Sequence, residues 1–381
     1  MTDRNPFTPS FGVSPPVLVG REEALAAFAS ALDAGPGDPF RAVKISGLRG
    51  SGKTVFLNAV EDMARERGWL VLSESAGPDL VRRLEQVELP NLLRNLDPDA
   101  KARETTGGAV SVMGAGVSLA SSVTQQYPVT HDLRSLLTRL AVLQQQRGAG
   151  VLITADEMNP TAADELRTLT QTVQHCFRAG YDVAFVGAGL HGDVHDLLDT
   201  PGMTFLRRAE EITFGTVSDQ AVRRGLLDPL TTWGRRIDSD ALDVAVAGTR
   251  GYPFMIQAIG HRLWAASQPH TPLSRAAAVE AVAHAASRVG QLVLAPELRP
   301  LSAMDRAYLV AMSADDGPSR TGEVARRLNR SPQYAGVYRQ RLLEAGLIVE
   351  AGRGRVAFVM PAMRDYLRAG APARGTSRPG S

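Results

Sequence analysis

The short apolar run "RAVKISG" reads as a strand, and from Lys53 the stretch "KTVFLNAVEDMARERG" places apolar residues every third or fourth position until Gly68, the period of an amphipathic helix. The same exchange of periods recurs downstream. "WLVLSESA", "GVLITADEMN", "YDVAFVGAG" and "EITFG" read as strands. "DLVRRLEQVELPNLLRNL", "DLRSLLTRLAVLQQQRG" and "AADELRTLTQTVQHCFRAG" read as helices between them, and "REEALAAFASALDAG" as an earlier helix closed by a glycine. Strands alternating with helices predict an α/β layer around a mostly parallel sheet. From about Ser218 the pattern becomes fully helical, through "ALDVAVAGTRGYPFMIQAIGHRLWAAS" and "AAAVEAVAHAASRV".

"VLAPELRP", with its two prolines, reads as a linker. A small module follows. "SAMDRAYLVAMS", "TGEVARRL" and "SPQYAGVYRQRLLEAGLI" predict three helices, "VEAGRGRVAFVMP" two strands about a Gly-Arg-Gly-Arg turn, and "AMRDYLRA" a closing helix. Ser331 is a good N-cap with Pro332 at the first helical position. "GGAVSVMGAGVSLASSV" has another texture and predicts a β-hairpin inserted between core elements; no Lys follows its glycines, which sets it apart from a phosphate loop. The division expected is an extended arm over 1–17, an α/β core over 18–216, a helical subdomain over 217–296, the small module over 297–369 and a disordered tail over 370–381.

Length and composition refine this picture. The 381 residues, 44% hydrophobic and 22% charged, fit a soluble globular protein of two or three domains. No run approaches the roughly 18–20 apolar residues of a membrane span, and the N-terminus lacks a signal-peptide layout, so a cytoplasmic protein with no membrane partner is expected. The single cysteine, Cys176, excludes an internal disulfide framework. Beside His175 on one helix it cannot share a metal, and no zinc site is expected. Net charge is only +2, and Lys44, Lys53 and Lys101 are the only lysines.

That scarcity sharpens "GLRGSGKT", where Gly47, Gly52, Lys53 and Thr54 stand at phosphate-loop spacing. Glycine lets backbone N–H groups turn inward around a polyanion. Leu48, Arg49, Gly50, Ser51 and Val55 complete the cradle, Lys53 reaches the β- and γ-phosphates, and the following helix points its positive end at them. About a hundred residues on, "VLITADE" ends a strand in Asp156 and Glu157. In a parallel sheet that end lies beside the phosphate loop. Asp156 and Thr54 are candidate Mg²⁺ ligands, and Glu157 the group that activates the attacking water.

In these motifs the chain resembles AAA+ P-loop ATPases, in particular the origin-recognition and archaeal-type ATPases that grade into STAND signalling ATPases. "LVGREEAL", "GLRGSGKT", "LITADE" and "RGYPFMIQAIG" carry the resemblance, over roughly residues 17–290. It implies a P-loop NTPase core, a helical lid over 217–296, and ATP with Mg²⁺ as ligands. Leu18, Val19, Gly20 and Arg21 would lie against the adenine. Pro253 would start a lid helix, though Gly251 and Pro253 also suit a plain helix start, as Gly20 suits a helix cap. Arg207 and Arg208 stand where the family places an arginine that reaches a neighbouring subunit's γ-phosphate, or they are surface arginines.

Two departures bear on rate. The strand "YDVAFVGAG" ends in Gly187, Ala188 and Gly189, where the family has a polar sensor; His191 is a nearby substitute or a solvated loop histidine. Pro253 and Phe254 occupy the region where many lids carry an arginine, and Arg262 lies further along. Slow, conditional hydrolysis is expected.

The small module resembles a winged helix-turn-helix domain, which implies a recognition helix in a DNA major groove. From Glu297 onward there are 14 Arg against 8 Asp and Glu. Gln333, Tyr334, Tyr338, Arg339 and Arg341 are candidates for DNA contact, with Arg353 and Arg355 on the wing for phosphates. The readings left are a DNA-coupled ATPase switch on double-stranded DNA, a signalling switch whose winged helix docks protein, and a motor or assembly ATPase. A homo-oligomer is compatible with each.

Overall fold

The computed structural model describes residues 4–10, 13–96, 132–360 and 362–370. The hairpin expected over 107–123 and the tail beyond Gly370 lie outside the described residues.

Strands β1 (Ala42–Gly47), β2 (Leu70–Ser75), β3 (Val151–Asp156), β4 (Val183–Gly189) and β5 (Glu210–Phe214) form one sheet in the order β2-β3-β4-β1-β5. Every pairing is parallel. Helices α1 (Glu22–Ala34), α2 (Lys53–Glu66), α3 (Leu80–Arg83), α4 (Leu89–Leu96), α5 (Leu133–Gln145), α6 (Ala163–Arg178), α7 (His191–Asp199) and α8 (Thr204–Arg208) connect them. Successive residues of a strand face opposite sides, so a sheet covered on both faces needs an almost continuous apolar run. β3 shows this: Val151, Ile153 and Ala155 join the core under α5 and α6, while Leu152 joins Phe56, Leu57 and Val60 of α2 on the other side. Phe56 meets Phe214 edge-on at 5.3 Å between ring centroids, and burying such a ring contributes about 2–3 kcal/mol.

The lid comprises α9 (Asp219–Thr232), α10 (Ser239–Thr249), α11 (Pro253–Ala266) and α12 (Arg275–Val289). The expected linker is helical instead. α12 passes through a π-helical turn, Gly290–Leu294, straight into α13 (Ala295–Leu298). Pro296 lacks an N–H and crowds the carbonyl four residues back, and widening the preceding turn relieves both. Leu84–Glu88, just before Pro90, is the same solution.

The C-terminal region is winged-helix-like: α14 (Ala303–Ser313), β6 (Ser319–Arg320), α15 (Thr321–Arg327), α16 (Pro332–Glu344), β7 (Ile348–Glu350), β8 (Arg355–Phe358) and α17 (Ala362–Gly370). The short β6 completes an antiparallel sheet β6-β8-β7 and carries no sequence signal of its own. Ser302 and Asp305 form a reciprocal capping box on α14. Ser331 caps α16 through the Tyr334 amide at 3.2 Å. One apolar core runs without interruption from the lid into this region, including Ile259, Leu263, Val293, Leu298, Tyr308, Met312 and Met363.

Candidate functional site

A cavity of about 650 Å³ opens at the C-terminal ends of β1 and β3, between the core and the lid. Ligands gather there in open parallel sheets. Of the residues singled out from the sequence, Leu18, Val19, Arg21, Arg49 to Val55, Asp156, Glu157 and Pro253 line it. Gly20, Gly47 and Leu48 stand behind it. A Cβ on Gly20 would meet Val217 at 2.6 Å, so the packing of core on lid accounts for that glycine. Arg21, while lining the cavity, donates to the Gly215 carbonyl at 2.7 Å with its guanidinium 4.2 Å above the Phe214 ring.

The phosphate loop leaves β1 and feeds the N-terminus of α2, with Gly50 at φ 76° and Gly52 at φ 95°, a region costly to residues with a Cβ. Lys53 Nζ donates to the Gly47 and Leu48 carbonyls, each at 2.9 Å. Burial pulls the ammonium down to about 8, against the opposing pull of Asp156 and Glu297. A bound triphosphate favours the charged form, so above pH 8 binding takes up a proton. Affinity for ATP is therefore expected to fall as pH rises from about 8 to 10, by at most about tenfold per unit. Titration calorimetry in two buffers of different ionisation heat reads that proton, and a pH-independent affinity would remove Lys53 from the anion's contacts.

Thr54 Oγ1 donates to Asp156 Oδ2 at 2.6 Å, so a hydroxyl and a carboxylate from opposite walls meet at one point. Among the described residues no group of three or more His, Cys, Asp or Glu could hold a metal. A hydroxyl, one carboxylate and phosphate oxygens are a donor set that suits Mg²⁺, which retains water and takes few protein ligands. Glu157 is exposed beside them at φ 58°, with its amide bonded to Asp156 Oδ1 at 2.8 Å and its carbonyl accepting from Asn159 Nδ2 at 2.7 Å. These two bonds hold a left-handed backbone that costs about 1 kcal/mol or more at a non-glycine residue.

The bare end of β4 has a steric cause. A Cβ on Gly187 would stand 2.4 Å from Met158 Sδ, and one on Gly189 would stand 2.3 Å from the Met158 carbonyl oxygen. Met158 fills the place where a sensor side chain would project. His191 is neither such a sensor nor a solvated loop residue. It opens α7, bonds Ser46 Oγ through Nδ1 at 3.3 Å, and packs against Gly346 of the winged-helix-like region.

Three groups at the site carried no separate sequence signal. Tyr252 is buried and donates its hydroxyl to the Arg49 carbonyl; a Cβ on Gly50 would collide with it at 2.5 Å. Asp193 of α7 lines the cavity, and burial together with Asp196 raises its carboxyl above the usual range. Glu297 of α13 approaches Arg49 Nε at 3.5 Å, its side chain 15% exposed. Burial raises it also, against Arg49. Glu297 and Asp193 share a second cleft of about 380 Å³ with His191, Arg341 and Glu344.

Arg207 donates to the Leu198 carbonyl at 2.7 Å and the Thr200 carbonyl at 3.3 Å, holding the C-terminal end of α7. Arg208 is exposed. In the winged-helix-like region Gln333 and Tyr334 are exposed at the start of α16, as are Arg353 and Arg355 on the wing. The Tyr334 and Tyr338 rings meet at a tilt of 52°, 5.3 Å between centroids. Arg339 is half-buried. Arg341 pairs with the buried Asp305 at 3.0 Å and faces the second cleft.

Residues 17–182 match the family model described as AAA ATPase domain, and residues 291–367 match one described as a domain of unknown function, DUF8462. A comparison with curated proteins finds no match. Among solved structures, a Walker-type ATPase of Pyrococcus abyssi superposes with a TM-score of 0.60 at 16% identity, over 92% of this chain and 96% of that one. The ORC2 protein of Aeropyrum pernix, in ADPNP–ADP complexes, gives 0.58 at 14% identity, over 95% of this chain and 96% of that one. At these identities the likeness is one of fold, and it extends over the lid and the C-terminal region.

Proposed function

We propose that this chain, an ATPase with the AAA+ P-loop fold, works as a nucleotide-controlled switch that governs access to a duplex-DNA-binding surface on its winged-helix-like region. The observation that carries the reading is Glu297. It comes from the helix leading into the C-terminal region, yet it lies against the phosphate-loop residue Arg49. A γ-phosphate entering between Lys53 and Arg49 competes with Glu297 for Arg49 and meets the like charges of Glu297 and Asp193. Mg²⁺, held by Thr54 and Asp156, would neutralise developing phosphate charge. Glu157 accepts the proton of the attacking water. With Met158 where a sensor side chain would stand, turnover is slow, and the triphosphate state lasts long enough to serve as a signal.

The response lies across the second cleft. The C-terminal end of α16 rests on α7, where a Cβ on Gly192 would stand 3.4 Å from the Glu344 carbonyl oxygen. Loss of the Arg49–Glu297 pair loosens that contact and turns Tyr338 and Arg341 outward, beside Gln333 and the wing arginines Arg353 and Arg355. An arginine fork and a basic wing suit phosphates and base edges. The exposure of Val337 at 58% and Val349 at 48% favours the second reading, a protein surface docking there.

Replacing Glu297 with Gln removes the competing charge while keeping the shape. ATP affinity is expected to rise about fivefold, the equivalent of about 1 kcal/mol of like-charge repulsion. Duplex binding, measured by fluorescence anisotropy, becomes independent of ATP and falls log-linearly with salt. Unchanged ATP affinity in the variant would sink the coupling. A protein with no affinity for duplex at low salt, in either nucleotide state, would leave the protein-docking reading.

A further inference from the structure

The turn between α10 and α11 is built to hold one side chain in place. Arg250 and Gly251 both take left-handed backbone, at φ 50° and φ 72°. A Cβ on Gly251 would stand 2.5 Å from the Val217 carbonyl oxygen, and the Gly251 carbonyl accepts from the Val217 amide at 2.8 Å. The Gly251 amide donates to Thr249 Oγ1 at 3.1 Å, and the Tyr252 amide to the Thr249 carbonyl at 2.9 Å. Pro253 then sets the first turn of α11. From this framework Tyr252, 4% exposed, reaches the phosphate loop, where its hydroxyl donates to the Arg49 carbonyl. Burial, joined by Glu297, pushes the phenol up from its ordinary value, so the hydroxyl keeps its proton.

The Gly50 N–H belongs to the same peptide as that carbonyl. Gly50 lines the cavity, and Tyr252 does not. No peptide bond among the described residues is cis. In a planar trans peptide the C=O and the N–H point opposite ways. A hydroxyl that fixes the Arg49 carbonyl therefore fixes the Gly50 N–H on the far side of the loop from Tyr252. Among the described residues that N–H has no acceptor. Glycine rotates at little cost, so the chain at Gly50, φ 76°, does not by itself keep the peptide in this sense. Turned over, the peptide would set a carbonyl oxygen against a phosphate in place of a donor.

We infer that Tyr252 is a positioning residue for phosphate binding: through one phenol hydroxyl the lid keeps the Gly50 N–H turned toward the phosphates that ATP and ADP share. Tyr252 touches no phosphate itself and acts through the loop peptide. The inference rests on the nucleotide reading of the cavity. It is separate from the Arg49–Glu297 contact, because it engages the backbone of Arg49 and not its guanidinium. The hydroxyl is delivered by the turn that opens α11, so the loop holds its binding shape only while the lid is docked on it.

Tyr252→Phe on the full chain keeps the ring and removes the hydroxyl, and thermal melts confirm folding. Calorimetry is expected to show ATP and ADP each bound about five- to tenfold more weakly than by wild type, the worth of one hydrogen bond. A second readout is the peptide itself. In protein labelled with carbon-13 at the arginine carbonyl and nitrogen-15 in glycine, the Arg49–Gly50 pair gives an NMR cross-peak, identified by its loss in Arg49→Lys. Tyr252→Phe is expected to move this peak in the nucleotide-free protein and to leave the Arg67–Gly68 and Arg147–Gly148 peaks in place. An unmoved Gly50 peak, or unchanged affinity for both nucleotides, overturns the inference. A loss confined to one nucleotide overturns it too, because the shared phosphates are then not what the loop has lost. Movement of all three peaks marks a general loosening and overturns it as well. A wild-type protein that binds neither nucleotide overturns the nucleotide site itself.

Discussion

Replacing Lys53 with Ala raises the dissociation constant for ATP about a hundredfold or more. Among the described residues Lys53 is the one lysine lining the cavity, and its ammonium is held in place by the Gly47 and Leu48 carbonyls. Charge-assisted hydrogen bonds to two phosphate groups are worth about 3 kcal/mol or more together, which is about two powers of ten in affinity. Thermal melts of the variant check that the fold survives the loss of the donor to these two buried carbonyls. Calorimetric titration of the variant checks the affinity, and a dissociation constant within threefold of wild type would sink the assignment of the phosphate loop.

Glu157→Gln separates binding from chemistry. The carboxylate is exposed beside Asp156 and, among the described residues, makes no hydrogen bond or ion pair; the backbone bonds of Glu157 to Asp156 and Asn159 survive the change. Gln keeps the shape and cannot take a proton. Removal of a positioned general base lowers turnover about a hundredfold to ten-thousandfold. Steady-state phosphate release is expected to vanish into background while ATP affinity stays within twofold. Turnover at the wild-type rate would move the base elsewhere. The left-handed backbone at Glu157 is untouched by the change, because the bonds that hold it run to its own amide and carbonyl.

The parts of the site that could be read in the sequence are those set by neighbours in the chain. A strand, a turn and a helix follow one another from Val43 to Glu66, so the spacing of Gly47, Gly52, Lys53 and Thr54 already implies the loop. Asp156 and Glu157 were legible because they end an apolar run, and the parallel order brings that end to the cavity. The remainder depends on contacts between distant segments. Glu297 meets Arg49 only because α12 and α13 run on as one helix, and the two prolines of "VLAPELRP" read as a break where a π-helical turn absorbs Pro296. Arg341 has the helical position of a DNA contact, yet Asp305 of α14 pairs with it. Arg207 stands where the resemblance put a trans-acting arginine, and it spends its guanidinium on the end of α7. The missing polar residue on β4 was visible as a departure, but its cause, Met158, was not, since packing volume has no periodic signature.

The interior that passes unbroken from Ile259 and Leu263 to Tyr308 and Met363 has a consequence for how the chain can be divided. A cut near residue 297, natural as it looks on the sequence, would sever a helix and split one oil drop into two exposed halves. Among the described residues the lid and the C-terminal region share one buried apolar core. Shortening Tyr308 or Met312, far from the phosphate loop, is therefore expected to loosen the lid along with the C-terminal region.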